Sequence, residues 1–281
     1  MAVCLIWGTT YLGIRIALET IPPFLMAGSR WIIAGGLIIP VLKMRGERLP
    51  AATSWTSLAL LGVLLLGFGN GGVVWAERTV PSGLTAILVA TSPFWMVGVD
   101  ALMLDGEPLT VRRSIGLIVG FAGIVVLVWP EIRFGEGGRG FLAGVISAQL
   151  ACLGWAVGSA YARRRRREEN VLATAAFEMV FGGLVLLAIG LIRNEGGALS
   201  FSGRSLGAFG YLIFVGAIGG FSAYAYALKH LPVATMSLYA YVNPVIAVAL
   251  GTLVLKEPFN WRLGAASAIV LAGMALVRNR S

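Results

Sequence analysis

The sequence predicts an all-α membrane protein, with ten transmembrane helices arranged as two inverted five-helix repeats around a central cavity. Three observations predict it. Of 281 residues, 58% are hydrophobic and only 12% charged, with a mean hydropathy of +0.85. Soluble domains carry about 25% charged residues, and a chain of this length cannot bury so much apolar surface in water, so its solvent is lipid. The apolar residues fall into ten runs near membrane-spanning length. One pattern is also written twice, about half a chain apart.

A spanning helix needs about 20 apolar residues. Segment 1 covers 2–18; it lacks a basic leader and a cleavage site, so it reads as a span and not a cleaved signal. Segment 2, at 23–43, starts behind Pro22-Pro23 and stops at the charged "KMRGERLP". Segments 3 and 4 cover 55–77 and 81–103 and are separated at Pro81. "LDGEPLTVRR" leads into segment 5 at 112–130, and "PEIRFGEGGRG" separates that from segment 6 at 141–163. After "RRRRREEN" comes segment 7 at 171–193, then "RNEGGALSFSGRS" and segment 8 at 206–229. Segments 9 and 10 cover 233–255 and 261–278.

The repeat is explicit. "PSGLTAILVATSPFWMVGVDALMLDGEP" runs from Pro81 to Pro108, and "PVATMSLYAYVNPVIAVALGTLVLKEP" from Pro232 to Pro258. Pro81 and Pro93 pair with Pro232 and Pro244 at an offset of 151. Glu107-Pro108 pairs with Glu257-Pro258 at 150, as does Ala122-Gly123 with Ala272-Gly273. Cys4 and Trp7 pair with Cys152 and Trp155 at 148. The units are 1–130 and 141–278. Five is odd, so the second unit enters the membrane from the opposite face, which is a transporter architecture.

Charge sets the expected orientation. Lys43, Arg45, Arg48, Arg112, Arg113, Arg163 to Arg167, Lys229, Arg278 and Arg280 fall on one side, and Arg78, Arg133, Arg139, Arg193, Arg204, Lys256 and Arg262 on the other. The thirteen-to-seven bias puts both termini in the cytoplasm of a multi-pass protein of the cytoplasmic (inner) membrane. The net charge of +9 is thereby explained by topology, with no nucleic-acid partner. Two cysteines and one histidine cannot build a structural zinc site. There is no Gly-x4-Gly-Lys-[Ser/Thr] loop, so neither a cofactor nor ATP is expected. "GRSLG" (Gly203 to Gly207) matches Gly-x-Ser-x-Gly but lies in a polar loop far from His230, which leaves an intramembrane enzyme a remote alternative.

Taken together, Trp7-Gly8, Arg30, "WAERTVPSGLTAILVATSPFW" and "LDGEPLTVRRSIGLIVGFAGIVVL" resemble the EamA type of the drug/metabolite transporter superfamily. The second-half copy is "YALKHLPVATMSLYAYVNPVIAVALGTLVLKEPFNWRLGAASAIVLAGMALV". The resemblance covers nearly the whole chain. It implies export of amino acids or other small metabolites, with the nearest likeness to bacterial exporters that include those handling aromatic amino acids. A broad drug or nucleotide-sugar carrier is the alternative within the superfamily. The expected partners are a small-molecule substrate and lipid, and a monomer suffices.

The candidate site sits at the duplicated prolines. Pro93 and Pro244 each lie twelve residues past the proline opening their helix, about 18 Å into a core of roughly 30 Å. Each frees the carbonyl four residues earlier, at Val89 and Ala240, and follows a polar residue, Ser92 or Asn243. Pro93 and Pro244 are the expected hinges, and Ser92 and Asn243 the expected cavity groups. Trp95 and Tyr239, close to the prolines, are expected on the cavity wall, with Trp155, Trp75 and Asn70 as further candidates. Arg30 lies within segment 2, where its charge should face the bundle and meet a substrate carboxylate or a backbone carbonyl. Trp7, Trp31, Trp129 and Trp261 read as interfacial belt residues, and Glu77 and Asp100 as rim charges. The Gly-x3-Gly pairs Gly116/Gly120, Gly154/Gly158 and Gly216/Gly220 read as helix contacts.

Overall fold

The computed structural model describes residues 2–103, 109–134, 138–164, 170–230, 239–259 and 261–277. Among them every regular element is helical. In chain order they are α1 (Ala2–Ala17), α2 (Pro23–Met44), α3 (Ala52–Ala76), α4 (Ser82–Ala101) and α5 (Val111–Phe134). The second half holds α6 (Gly138–Arg164), α7 (Val171–Ile192), α8 (Gly203–Ala227, continuing to His230), α9 (Tyr239–Leu255) and α10 (Trp261–Val277). Among the described residues seven helices, α2 to α8, are long and apolar enough to cross a membrane; α1, α9 and α10 are shorter apolar helices of 16, 17 and 17 residues. The expected first turns of segment 9 (233–238), Pro232, Glu107, Pro108 and Arg165 to Arg167 lie outside the described residues.

The helices start where local chemistry allows. α2 opens on Pro23, whose missing N–H costs nothing in a first turn. Its next two donors, the Phe24 and Leu25 N–H groups, are accepted by Glu195 Oε2, each at 3.0 Å. Asn170 caps α7 by accepting the Leu172 and Ala173 N–H groups, and its side-chain amide donates to Glu47 at 3.0 Å. So the turn after α2 meets the start of α7, and the turn after α7 meets the start of α2. α8 opens with a capping box of Ser202 and Ser205. The serine of "GRSLG" is thus a fully buried capping group.

Two helices depart from plain α geometry, a feature the sequence pattern did not announce. α3 winds as a π-helix over Gly62–Asn70, and α8 does so over Leu212–Gly219, at matching places in the two halves. π segments are rare and concentrate at functional sites.

Helix pairing follows one scheme. α2 packs on α7 and α5 on α10, while α1 packs on α9 and α4 on α6. Exchanging each helix for its counterpart five places on maps these pairs onto one another. The closest crossings use glycine, because in lipid close backbone packing is what holds helices together. A Cβ on Gly28 would lie 2.5 Å from the Leu187 nitrogen, and one on Gly273 would lie 2.6 Å from the Gly120 nitrogen. All three Gly-x3-Gly pairs meet a neighbour: Gly116 and Gly120 meet α10 or Phe94, Gly154 and Gly158 the π segment of α3, and Gly216 and Gly220 meet α1. Large apolar side chains such as Ile118, Leu191, Leu253 and Ile192 remain exposed outside, as a lipid-facing surface requires.

Buried side chains form two separate clusters. One joins α1, α2, α3, α7 and α8 around Met26, Trp31, Met179 and Leu212. The other joins α4, α5, α6 and α10 around Leu88, Phe94, Ala148 and Met274. Between the two lies the cavity.

Candidate substrate cavity

The cavity has a volume of about 620 Å³, within the range of small-molecule sites. It is lined by α1, α2, α3, α4, α5, α6, α8, α9 and α10. One end reaches Arg113 at the start of α5, Arg163 at the end of α6 and Val277 at the end of α10. Toward the other end lie Ile14, Arg30 and Ala86. In that direction Glu77 and Ser82 are fully buried.

Both Pro93 and Pro244 line it. They are not equivalent. α4 is broken into Ser82–Val89 and Ser92–Ala101, whereas α9 runs unbroken through Pro244. The expectation of two matching breaks therefore needs correction, and the polar groups beside each proline account for the difference. At α4, the Leu88 carbonyl accepts from the Thr91 hydroxyl at 2.6 Å and from the Gln149 amide at 3.3 Å. The Val89 carbonyl, expected to be bare, accepts the Ser92 hydroxyl at 2.7 Å. Gln149 Oε1 also accepts from the Trp95 ring N–H at 3.0 Å and lies 3.1 Å from the Thr91 hydroxyl, so one α6 side chain touches both sides of the break. At α9, the Asn243 amide faces two acceptors, the Cys4 and Tyr239 carbonyls, each 3.0 Å away, and the orientation that satisfies both turns its nitrogen toward them. The contact to Cys4 joins α9 to α1, and the contact to Tyr239 stays inside a continuous helix.

The repeated cysteines meet these same places. Cys4 faces Asn243 through its carbonyl, and the Cys152 thiol lies 3.7 Å and 3.8 Å from the Leu88 and Val89 carbonyls. Both are buried free thiols.

Of the residues singled out from sequence, Ser92, Trp155, Tyr239, Asn243, Asn70, Arg30, Pro93 and Pro244 line the cavity. Trp95 and Trp75 are not lining residues. Trp95 gives its ring N–H to Gln149 and packs edge-on against Phe121. Trp75 lies in the last turn of α3 beside Arg78.

Arg30 is 3% exposed despite its charge. Its Nη2 donates to Asn70 Oδ1 at 2.7 Å, and the Trp31 ring N–H donates to the same oxygen at 3.0 Å. The guanidinium carbon stands 4.4 Å from the centre of the Trp31 ring, a cation–π distance. Asn70 ends the α3 π segment, so that irregularity sets the acceptor that holds Arg30.

Several functional candidates were not read from the sequence. Trp7 and Trp31, expected in the belt, line the cavity instead. Trp7 stacks on Tyr224 at 5.4 Å and meets Tyr239 edge-on at 5.3 Å, and both Trp7 and Trp31 pack on Phe221. For Trp7 the signal was its pairing with Trp155 across the repeat; Trp31 had none. Trp129 and Trp261 do lie exposed. Gln149 and Tyr11 had no signal: one polar residue in an apolar helix names no partner. Glu77, read as a rim charge, is fully buried. The Arg15 guanidinium donates to its backbone carbonyl, while no hydrogen bond reaches its carboxylate oxygens. Asp100 does lie at the rim, paired with Arg163 at 2.8 Å.

A polytopic helical bundle around a central, aromatic-walled cavity defines a membrane transporter by its fold and site. The particular family follows from comparison: the EamA-like transporter family matches residues 1–129 and again 142–279, and the chain belongs to it. It is 38% identical over 252 residues to YedA of Escherichia coli (strain K12), an uncharacterized inner membrane transporter, covering 89% of this chain and 80% of that one. It is 25% identical to the uncharacterized transporter YvbV of Bacillus subtilis (strain 168), over 99% of this chain and 89% of that one. A crystal structure 22% identical in sequence shares the fold, with a TM-score of 0.67 over 98% of this chain and 94% of the other.

Proposed function

We propose that this protein is a secondary transporter of the cytoplasmic (inner) membrane that exports small metabolites, amino acids foremost, by alternating access. The observation that carries the reading is the cavity's position at the two proline-marked regions, between two separately packed helix clusters. Supporting it are the helix pairs that map onto each other across the halves, the two π segments at matching places, and the double family match. These fit two five-helix units of inverted topology, with all ten helices spanning. An inner-membrane location accords with the name of the Escherichia coli relative.

With both termini in the cytoplasm, the end of the cavity marked by Arg113 and Arg163 faces inward, where an exporter loads its cargo. Ser92, Asn243, Asn70 and Arg30 supply the polar contacts, and Trp155 and Tyr239 the apolar walls. Trp95 and Trp75 act through packing. Rocking of the two clusters, with α4 and α9 flexing at Pro93 and Pro244, would open the other side. A monomer suffices for this reading.

The test is counterflow in liposomes holding the purified protein, with a panel of labelled amino acids, with and without a pH gradient. Movement of at least one amino acid is expected. If sugar nucleotides move and no amino acid does, the reading is wrong.

A further inference from the structure

We infer that a groove on the lipid-facing side of α9 and α10 holds one acyl chain of an anionic phospholipid, with its headgroup at Lys256. This is a second site beside the cavity, and it stands whatever the cavity carries.

α9 packs on α1 and α10 on α5, which leaves a gap between these two consecutive helices. The gap is a groove of about 390 Å³ that extends from Pro244 and Leu271 to Leu253 and Phe259. Among the described residues no charged side chain lines it, and the Ser267 hydroxyl is spent on the Leu263 carbonyl of its own helix at 2.5 Å. Val245 and Leu253 in its wall are 60% and 79% exposed, so the groove faces the lipid. Pro244 is the one described residue it shares with the cavity. Nine positions separate Pro244 from Leu253, a rise of about 14 Å, close to half of a hydrocarbon core of roughly 30 Å. The groove thus has the reach of one acyl chain within one leaflet.

The first half fills the corresponding place with its own side chains. At the repeat offsets of 151 and 150, Phe94 and Phe121 correspond to Val245 and Leu271. The two rings pack at 5.7 Å, and the Phe94 ring, 1% exposed, lies on Gly120 of α5. Their counterparts are smaller aliphatic groups, and a gap forfeits the dispersion contacts that a guest chain restores. Charge at one end selects the guest. Lys256 is exposed and follows the last residue of α9, and Arg262 lies in the first turn of α10, three positions either side of Phe259. Glu257, the acidic residue between them, has its carboxylate turned to the first turn of α4. Trp261, 80% exposed beside them, suits the membrane interface. The groove therefore ends at positive charge where a lipid phosphate sits.

The test is photolabelling of the whole protein in phosphatidylethanolamine vesicles doped with a probe lipid that carries a diazirine midway along one acyl chain. The probe's headgroup is either phosphatidylglycerol or phosphatidylethanolamine. Adducts are mapped by peptide mass spectrometry, with the exposed face of α7 at Leu184 and Leu191 as the reference. The phosphatidylglycerol probe is expected to label α9 and α10 at least fivefold more than that reference. Gly264→Leu adds a side chain where a Cβ would meet only Phe259, at 3.7 Å, and should cut this labelling at least fivefold with α7 labelling unchanged. Ala249→Phe fills the groove from its exposed α9 wall and should do the same, which keeps the test decisive if one variant fails to fold. Lys256→Asn removes the charge and tolerates the left-handed backbone there. It should lower the phosphatidylglycerol signal at least threefold and leave the phosphatidylethanolamine signal unchanged. Labelling of α9 and α10 no higher than that of α7, labelling unmoved by a folded groove-filling variant, or equal labelling by the two probes each overturns the inference. The expected labelling without any transport in liposomes would instead overturn the transport reading and leave this inference standing.

Discussion

Glu257 stands 175 positions from Ser82 in the chain, yet its Oε1 accepts the Ser82 backbone N–H at 2.8 Å. Its other oxygen accepts the Gly83 N–H at 3.1 Å. The first turn of α4 is thereby capped by the turn after α9. The arrangement needs two backbone permissions. Lys256 adopts a left-handed conformation, with φ of 56°. Gly251 leaves the space that the carboxylate occupies, since a Cβ there would collide with it. This is a physical role for one copy of the repeated Glu-Pro pair: it ties the two halves together at the end of the cavity away from Arg113 and Arg163.

Replacing Glu257 should therefore destabilise the fold by removing a charged N-terminal cap. Glu257→Ala is expected to cost about 1–2 kcal/mol, read as a lower thermal unfolding temperature in detergent. Glu257→Gln keeps an acceptor and should fall between. Gly251→Ala should resemble Glu257→Ala, because the added methyl displaces the carboxylate. Equal stability of Gly251→Ala and wild type would show that the tie carries no weight.

Asn70→Leu leaves two buried donors, Arg30 Nη2 and the Trp31 ring N–H, without their acceptor. The expected cost is about 1–3 kcal/mol for each donor. The loss should appear both as reduced stability and as reduced transport. An Asn70→Leu protein as stable as wild type would mean that these donors find other partners.

Glycine positions in one helix should divide cleanly. Gly28 and Gly36 both lie in α2. A Cβ on Gly28 would meet α7 backbone, whereas one on Gly36 would meet nothing within 4 Å. Gly28→Val is expected to abolish or strongly reduce the yield of folded protein. Gly36→Ala should be neutral or stabilising by up to about 1 kcal/mol, the helix propensity difference. Side-by-side expression and thermal unfolding measure both.

Much of the fold was legible because lipid imposes a simple rule: apolar runs become helices whose ends fall at charges, Gly and Pro. The starts of α2 and α7 lie at Pro23 and Val171, where that rule put them. The duplicated prolines Pro93 and Pro244 drew attention to two helices that do line the cavity. What the rule missed was direction around each helix axis. Trp95 and Trp75 sit in the right helices but turn toward Gln149 and Arg78. Trp7 and Trp31 were read as belt residues because an apolar segment carries little periodicity to tell lipid from cavity. Glu77 was misread for the same reason: a position near a helix end does not reveal that Arg15 of another helix reaches it. The π segments were invisible because an uninterrupted apolar run reads the same whether it winds as an α- or a π-helix.

Orientation can be fixed independently of transport. Cys4 and Cys152 are buried, so neither should react with a membrane-impermeant thiol reagent. Single cysteines placed at Gly46 and at Gly196 should differ: with the termini in the cytoplasm, the first is shielded in whole cells and the second is labelled. Both turns carry exposed residues, so access is decided by the membrane alone. Labelling of Gly46→Cys from outside would reverse the inward assignment of the cavity mouth.

The hinge assignment makes the two prolines unequal. Pro244 sits in a continuous helix, so Pro244→Ala supplies an N–H to the Ala240 carbonyl without rearranging anything else. It should stiffen α9, raise the unfolding temperature and slow transport. Pro93→Ala supplies an N–H at a place where Val89 already accepts from Ser92 and where Gln149 and Thr91 hold the Leu88 carbonyl. Straightening α4 must break those bonds, so Pro93→Ala alone should leave stability nearly unchanged and alter transport less. Adding Gln149→Leu removes the side chain that props the break, and Pro93→Ala with Gln149→Leu should then slow transport at least as much as Pro244→Ala. Initial rates in liposomes, compared with unfolding temperatures of the same preparations, measure each step. If Pro93→Ala combined with Pro244→Ala transports at the wild-type rate, bending at these prolines is no part of the cycle, and the clusters must move about some other axis.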